Sequence, residues 1–165
     1  MRKDSPITEV KELDGLVVAF PAPASFAATV LPLAALRSKN ITVRPKYVNS
    51  HDSVYLTVAR GLCPAGGGVM STFNSAPDEV GKELRVLWKT ERYTSHAFAA
   101  RRGLAAGVVV KVLKAMQEMG SDAQAKSTLD NLDFSGFEKA KDQDWDDVRA
   151  LRIEGTLQPL LQETR

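Results

Sequence analysis

Strand-like and helix-like segments alternate over residues 16–88 of this chain. Short runs of valine, leucine and isoleucine predict strands, and stretches with apolar residues every three or four positions predict helices between them. This βαβ rhythm is typical of an α/β fold with a mostly parallel sheet and helices on both faces. The predicted strands are 16–20, 41–48, the end of 65–73, and 84–88, and the predicted helices are 25–37, 50–62 and 75–84.

The last third of the chain predicts helices without strands. A helix over 104–119 is followed by a second, which is capped by Ser121 and ends near Leu132, and by a last one over 144–153. The first of these helices has an apolar stripe opposite lysine and glutamate side chains, so we expect the stripe to pack against another surface. The stripe consists of Leu104, Val108, Val112, Leu113 and Met116.

Composition and charge limit the classes of function. A chain of 165 residues with 44% hydrophobic and 25% charged residues is long enough for one domain or two small lobes. The 22 basic and 20 acidic residues give a net charge of +2, which does not indicate nucleic-acid binding. No apolar stretch has the length of a membrane span, and no signal peptide follows Met1. A composition shift at residues 97–103 predicts domains 1–96 and 97–165.

Polar residues occupy four turns where predicted strands end. The first turn contains Ser25, the second contains Ser50 and His51, the third is the glycine run 66–68, and the fourth begins at Tyr93. The carboxyl ends of parallel strands share one edge of a sheet, and ligands of open α/β sheets bind there. The sequence therefore predicts that these turns converge on one binding crevice, with Tyr93 as a candidate pocket residue.

Each turn by itself also has a purely structural interpretation. Ser25 is a predicted N-cap, and the helix start that follows it either is only capped or also binds an anion. The glycine run lacks the Gly-Lys-Ser/Thr ending of a Walker A loop, and its alternative role is close packing of strand and helix. His51 is a first-turn residue, a hydrogen-bond donor or, less simply, a general base.

Metal binding and nucleophilic catalysis depend on very few residues. His51, His96 and Cys63 have no metal-ligand spacing, and Cys63 precedes Pro64 in a predicted turn. The single cysteine excludes an internal disulfide. We therefore predict no metal, no cofactor and no enzymatic activity. The enzymatic alternative is a small α/β hydrolase or transferase that uses His51 or Cys63.

Five segments in order carry a resemblance to a known family: GLVVAFPAPASFAATVLP, NSHDSVYLTVARG, AGGGVMSTF, LRVLWKTERYTSHAFAA and DQDWDDVRAL. Together the segments resemble the substrate-binding component of phosphate/phosphite/phosphonate ABC transporters, a type II periplasmic binding protein. The resemblance spans roughly residues 10–152. It implies a non-enzymatic protein whose two α/β lobes close on a small oxyanion, with an ABC permease as partner.

The same resemblance implies which residues bind the ligand. Ala24, Ser25, Phe26 and Ala27 match the loop that holds phosphonate oxygens, and Ser50 and His51 match the turn that contributes a histidine. The family loop has further hydroxyls where this chain has Phe26 and Ala27, which reduces the number of donors. Pro64 replaces an aspartate of the family, which disfavours amine-bearing phosphonates.

The resemblance also has implications for the domain organisation of the chain and for its location in the cell. Residues 1–96 match the second lobe and residues 97–165 match a segment that returns toward a first lobe, most of which is missing. The family implies a periplasmic location, whereas the lack of a signal peptide implies retention in the cytoplasm. One alternative is a sensory or regulatory domain derived from the same fold. Without its first-lobe sheet, the apolar stripe is expected to fold back or to form a homodimer through the C-terminal helices.

Overall fold

The computed structural model describes residues 1–132, 134–151 and 153. In this part of the chain a three-stranded sheet has the order β2-β1-β3, with β1 at Val17–Phe20, β2 at Arg44–Tyr47 and β3 at Ala65–Gly66. Both pairings are parallel: Phe20 lies opposite Tyr47, and Ala19 lies opposite Gly66. The first two predicted strands therefore contribute to one parallel sheet, and its third strand, β3, lies at the start of the segment 65–73 rather than at the predicted end.

Helical segments separate the strands and make up most of the last third. Phe26–Val30 is a π-helical turn that continues into α1, and Pro32, the second residue of α1, has no N–H to donate to the carbonyl of Ala28. The α-helices are α1 Leu31–Ser38, α2 His51–Ala59, α3 Met70–Asn74, α4 Asp78–Gly81, α5 Ala106–Glu118, α6 Ala123–Asn131 and α7 Asp146–Arg149. Short 3-10 turns occupy Val10–Leu13, Met119–Ser121 and Asp142–Trp145.

The chain divides into two compact units. One unit consists of Met1–Arg92 with the described residues from Val148 on, and the other is Tyr93–Asp147. The division into domains 1–96 and 97–165, with the second returning toward a first lobe, stays a prediction.

In the first unit, apolar side chains cover both faces of the sheet. Val18 and Phe20 pack with Leu33 and Leu36 of α1 on one face. Ala19 packs with α2 on the opposite face, where the buried helix residues are Val54, Tyr55 and Val58. Consecutive residues of β1 thus enter different cores, as the alternation of side chains along a strand requires. The predicted fold class, a parallel α/β lobe with helices on both faces, is confirmed.

The second unit buries few side chains. Among its described residues only Leu129 is buried. The rings of Phe98 and Phe137 meet edge to face at 5.3 Å, and those of Phe134 and Phe137 at 6.0 Å. The predicted apolar stripe lies on α5 and just before it, where Leu104, Val108 and Val112 are 44%, 47% and 51% exposed. Its burial in a homodimer stays a prediction.

Two predicted strands are wrong. Residues 84–88 form no strand; only Leu84 makes an isolated antiparallel bridge, with Arg2. Local strand propensity is insufficient here because a strand also needs a neighbouring backbone. Residues 70–74 form α3 instead of a strand, and the hydroxyl of Thr72 donates to the carbonyl of Val69, three residues earlier.

Several helix boundaries also differ from the predictions. Asp122 rather than Ser121 caps α6, because its carboxylate accepts the N–H of Ala125 at 2.7 Å. The predicted helix over 75–84 shortens to α4. The predicted last helix becomes a 3-10 turn followed by α7, and its Arg152 lies outside the described residues.

Candidate ligand-binding site

The loops that follow the three strands lie at one edge of the sheet. The N–H of Val48, which follows β2, donates to the carbonyl of Phe20 at the end of β1 at 3.0 Å. The N–H of Gly67, which follows β3, donates to the carbonyl of Ala19 at 2.8 Å. The predicted convergence of the first three polar turns therefore follows directly from the parallel register.

The first loop is held by backbone bonds and one buried hydroxyl. The carbonyl of Ser25 accepts the N–H groups of Thr29 and Val30 at 2.8 and 3.1 Å. The hydroxyl of Thr29, a fully buried residue, donates to the carbonyl of Ala22 at 2.8 Å. The sequence analysis did not single out Thr29. The signal that could have found it is a polar residue inside an otherwise apolar helical stretch.

Ser25 occupies the N-cap position without capping the helix. Its side chain makes no capping bond, so the predicted hydroxyl cap is wrong, although the helix starts where expected. Ala24 is exposed, whereas Ser25, Phe26 and Ala27 are half-buried at the edge of the sheet.

The second loop turns through a left-handed residue into α2. Asn49 has φ of 68°, a conformation that asparagine tolerates better than most residues. Ser50 then caps α2: its Oγ accepts the N–H of Ser53 at 3.0 Å and donates to the Ser53 hydroxyl at 2.8 Å. The Ser50 hydroxyl is therefore committed to the cap.

His51 is the first residue of α2 and contains an unpaired nitrogen. The imidazole is half-buried, and its Nδ1 is buried without a hydrogen-bond partner among the described residues. Buried polar atoms nearly always have such a partner, so this nitrogen calls for an explanation. His51 lies just after the carboxyl end of β2.

The third loop shows the structural role of the glycine run. A methyl group on Gly66 would overlap the side chain of Val54, and one on Gly67 would overlap the Ala28 carbonyl and the ring of Phe20. The two glycines therefore permit α2 and the π-helical turn to approach β3 closely. Of the two interpretations that the sequence left open, close packing is the one that the structure shows.

Tyr55 connects α2 to this third loop. Its hydroxyl donates to the carbonyl of Val69 at 3.2 Å and lies 2.6 Å from the hydroxyl of Thr72. A methyl group on Gly68 would come within 2.6 Å of the same hydroxyl. Burial, the largest cause, raises the pKa of Tyr55 despite these hydrogen bonds. Sequence reasoning assigned Tyr55 only to an apolar helix face.

The remaining candidates lie outside these three loops. Tyr93 is half-buried and begins the second compact unit, to which the exposed His96 also belongs. Cys63 is 1% exposed and packs with Val54 and Leu84 in the core. The part of the chain that the structure describes contains no group of three or more residues suited to hold a metal ion.

Known structures and sequences show the class and the family. The Xanthomonas citri protein XAC2383, solved with a bound chloride ion, matches this chain with a TM-score of 0.76 and 18% identity. The match covers 99% of this chain, and at that identity it shows the fold: a lobe of the periplasmic-binding type. A model of the family described as "ABC transporter, phosphonate, periplasmic substrate-binding protein" matches residues 1–145. The chain belongs to this family, and the resemblance stated from the sequence is confirmed.

A curated relative is the phosphate-import protein PhnD of Mycolicibacterium smegmatis. It is 29% identical over an alignment of 136 residues, which covers 73% of this chain. The chain spans 41% of the length of that relative and 65% of the Xanthomonas citri chain. Among the described residues, no helix is both long and apolar enough to cross a membrane.

Proposed function

We propose that this chain is a solute-binding lobe of an ABC-type uptake system and holds a phosphonate-, phosphite- or phosphate-like oxyanion without chemical conversion. The observation that carries the proposal is the unpaired Nδ1 of His51 at the edge where two helices begin. The family of the chain supports the ligand class, the ABC permease as partner and a periplasmic location.

The site offers donors in three groups. The π-helical turn after Ser25 and the first turn of α2 each present backbone N–H groups, which favour an anion. The Ser25 hydroxyl is free of a capping bond and adds a donor. If the half-buried His51 ring rotates toward the edge of the sheet, its Nδ1 can form a hydrogen bond with an oxygen of the ligand.

The loop chemistry restricts the ligand. Phe26 and Ala27 provide no hydroxyl, so backbone N–H groups replace side-chain donors in this loop. Such a site suits a small oxyanion with few further polar groups. A larger ligand would bury polar groups without hydrogen-bond partners, and each of these would cost free energy. The buried Cys63 thiol and the single histidine at the site support binding without covalent chemistry.

A titration followed by NMR tests the proposal. Phosphate, phosphite and methylphosphonate are added separately in chloride-free buffer, because the similar Xanthomonas citri structure contains chloride. We expect the amides of Phe26 and Ala27 to shift on addition of at least one of these anions. Ser25→Ala and His51→Ala should each weaken that binding by about tenfold to a hundredfold, the loss of one hydrogen bond to a charged group.

Two exposed residues provide matched controls. Ser38→Ala, at the end of α1, and His96→Ala, in the other compact unit, remove the same side-chain types outside the three loops and should leave the affinity unchanged. Unchanged affinity in both Ser25→Ala and His51→Ala would remove the site assignment. No shift with any of the three anions would contradict the function itself.

A further inference from the structure

The peptide group that joins Asn49 to Ser50 makes no hydrogen bond within the described part of the chain. Neither the carbonyl of Asn49 nor the N–H of Ser50 has a partner there, and the side-chain amide of Asn49 has none either. Asn49 is exposed and lies between β2 and α2, so no strand or helix bond fixes this group. The peptide group can therefore turn without breaking a hydrogen bond.

Asn74 precedes a serine as well, but its surroundings differ. The N–H of Ser75 donates to the carbonyl of Ser71 at 3.1 Å, at the end of α3. Asn49 and Asn74 are both exposed. The chain thus contains the same dipeptide twice, once with an N–H that has no acceptor among the described residues and once with an N–H that is bonded. The sequence alone does not distinguish these two positions.

The other two asparagines precede bulky residues with bonded N–H groups. Asn40 has a left-handed backbone with φ of 58°, and the N–H of Ile41 donates to a carbonyl of α1 at 3.0 Å. Asn131 precedes Leu132, whose N–H donates to a carbonyl of α6 at 3.0 Å. Among the four asparagines, Asn49 is therefore the one that combines a small following residue with an N–H that no described atom accepts.

A backbone nitrogen that follows an asparagine can attack the side-chain amide of that asparagine. Here the nitrogen of Ser50 attacks Cγ of Asn49 and closes an imide ring, while the Cγ–Nδ2 bond breaks. Nδ2 leaves as ammonia and takes up the proton from the Ser50 nitrogen. Solvent water then adds to either imide carbonyl and opens the ring to aspartate or isoaspartate. A hydrogen bond from the attacking N–H opposes the first step, because it must break before the peptide group can turn.

We propose that Asn49 is a site of spontaneous deamidation in the folded chain, and that the new carboxylate weakens binding of the oxyanion beside it. The chemical step depends only on the geometry of the Asn49–Ser50 peptide group. The effect on binding rests on the proposed function. The second loop would then lose affinity for its ligand as the protein ages.

Electrostatics explains why the product should bind an anion less well. The new carboxylate lies directly before the cap of α2 and two residues before His51. The positive end of the helix dipole favours a negative charge at this place, so the product itself is stable there. A bound oxyanion depends on the same N–H groups and is repelled by the like charge. The carboxylate and the ligand therefore compete for the start of α2.

Peptide mass spectrometry of the incubated chain tests the chemical step. The folded protein is kept in neutral buffer without phosphate, digested, and analysed for aspartate and isoaspartate at each asparagine. Asn49 should be converted at least about tenfold faster than Asn74, because the Ser75 N–H must first leave its hydrogen bond. In urea the two should be converted at rates within about threefold of each other, since unfolding frees both N–H groups. Similar rates in the folded chain, or a preference for Asn49 that persists in urea, would overturn the assignment.

Substitutions test the effect on binding in titrations with phosphate, phosphite and methylphosphonate. Asn49→Asp should weaken binding by about fivefold, the effect of one like charge near the ligand. Asn40→Asp is the matched control, because Asn40 is also left-handed but precedes β2, at the opposite edge of the sheet, and should leave the affinity unchanged. On incubation the original chain should lose affinity in step with deamidation, whereas Asn49→Gln should retain it.

The outcomes separate this inference from the proposed function. Deamidation without loss of affinity, or equal effects of Asn49→Asp and Asn40→Asp, would overturn the effect on binding. Absence of anion binding by the fresh, unmodified chain would contradict the proposed function and with it this effect. The chemical step at Asn49 would still stand or fall on the mass spectra alone.

Discussion

The hydroxyl of Thr29 donates a hydrogen bond of 2.8 Å to the backbone carbonyl of Ala22. This bond joins the π-helical turn to the loop that leaves β1, and the exposed fraction of Thr29 is 0%. A buried side chain thus holds the loop that contains the candidate ligand residues Ala24 and Ser25. A site at a strand end can therefore be preformed without a ligand.

Thr29→Val tests the contribution of this bond to stability. Valine has nearly the same shape but leaves the Ala22 carbonyl without its partner, which should lower the free energy of unfolding by about 1–3 kcal/mol. Thr42→Val, at an exposed residue, should change it by less than about 0.5 kcal/mol. Urea denaturation measures both. Equal effects of the two substitutions would show that the bond is not stabilising.

Gly67→Ala tests the close approach of the π-helical turn to β3. The added methyl group would lie 2.5 Å from the Phe20 ring and would overlap the Ala28 carbonyl, so we expect a loss of about 1–3 kcal/mol in unfolding free energy. Gly81→Ala is the matched control, because nothing lies within 4 Å of its new methyl group. Gly81→Ala should be neutral or slightly stabilising. A neutral Gly67→Ala would contradict the packing role of the glycine run.

Tyr55 should make stability depend on pH in alkaline solution. Burial raises its pKa above the ordinary value of 10.0, so the unfolded chain loses the Tyr55 proton at lower pH than the folded chain. The contribution of Tyr55 is therefore fully present below pH 10 and is lost as the pH rises above it. The difference in unfolding free energy between the original chain and Tyr55→Phe should shrink between pH 9 and about pH 11. A constant difference would contradict this assignment.

The Cys63 thiol should react only when the chain unfolds. It is 1% exposed and packs against Val54 and Leu84. A thiol reagent such as Ellman's reagent should therefore modify the native chain at least on the order of a hundredfold more slowly than the chain in urea, because reaction requires opening of the core. Anion binding should be unaffected by Cys63→Ala. Rapid labelling of the native chain, or ligand turnover that Cys63→Ser abolishes, would support the enzymatic alternative instead.

The 165-residue chain should bind its oxyanion with millimolar affinity. Micromolar binding requires about 8 kcal/mol and millimolar binding about 4 kcal/mol. Each helix start contributes roughly 0.3–1 kcal/mol, and a few charge-assisted hydrogen bonds contribute about 1.5–3 kcal/mol each, against the entropy cost of association. Isothermal calorimetry measures the affinity, with Ser38→Ala as control. Low-micromolar binding by a monomeric chain would contradict the prediction.

Much of the first compact unit was accessible from the sequence because its signals are local. The polar cap Ser50 bonds to Ser53 three residues away, so α2 begins at the predicted place. The apolar run at 16–20 differs from β1 by only one residue. The same local pattern identified Ser25 as the start of a helix, although its side chain makes no capping bond.

The contacts that the sequence did not predict join residues that are distant along the chain. The Tyr55 hydroxyl contacts Thr72, and Gly67 approaches Ala28; neither pair has a sequence pattern of its own. Residues 84–88 have the composition of a strand, but their pairing depends on the distant Met1–Lys3 and ends at Arg85.

By itself the sequence determined the family, the alternation of strands and helices, and the turns that carry polar residues. These features depend on residue types and on neighbours within one helical turn or one strand. Only the tertiary structure decided that the glycine run serves packing, that Thr29 closes the first loop, and that the Nδ1 of His51 has no partner among the described residues. These are properties of the space between elements, since burial and hydrogen-bond pairing arise when distant segments meet.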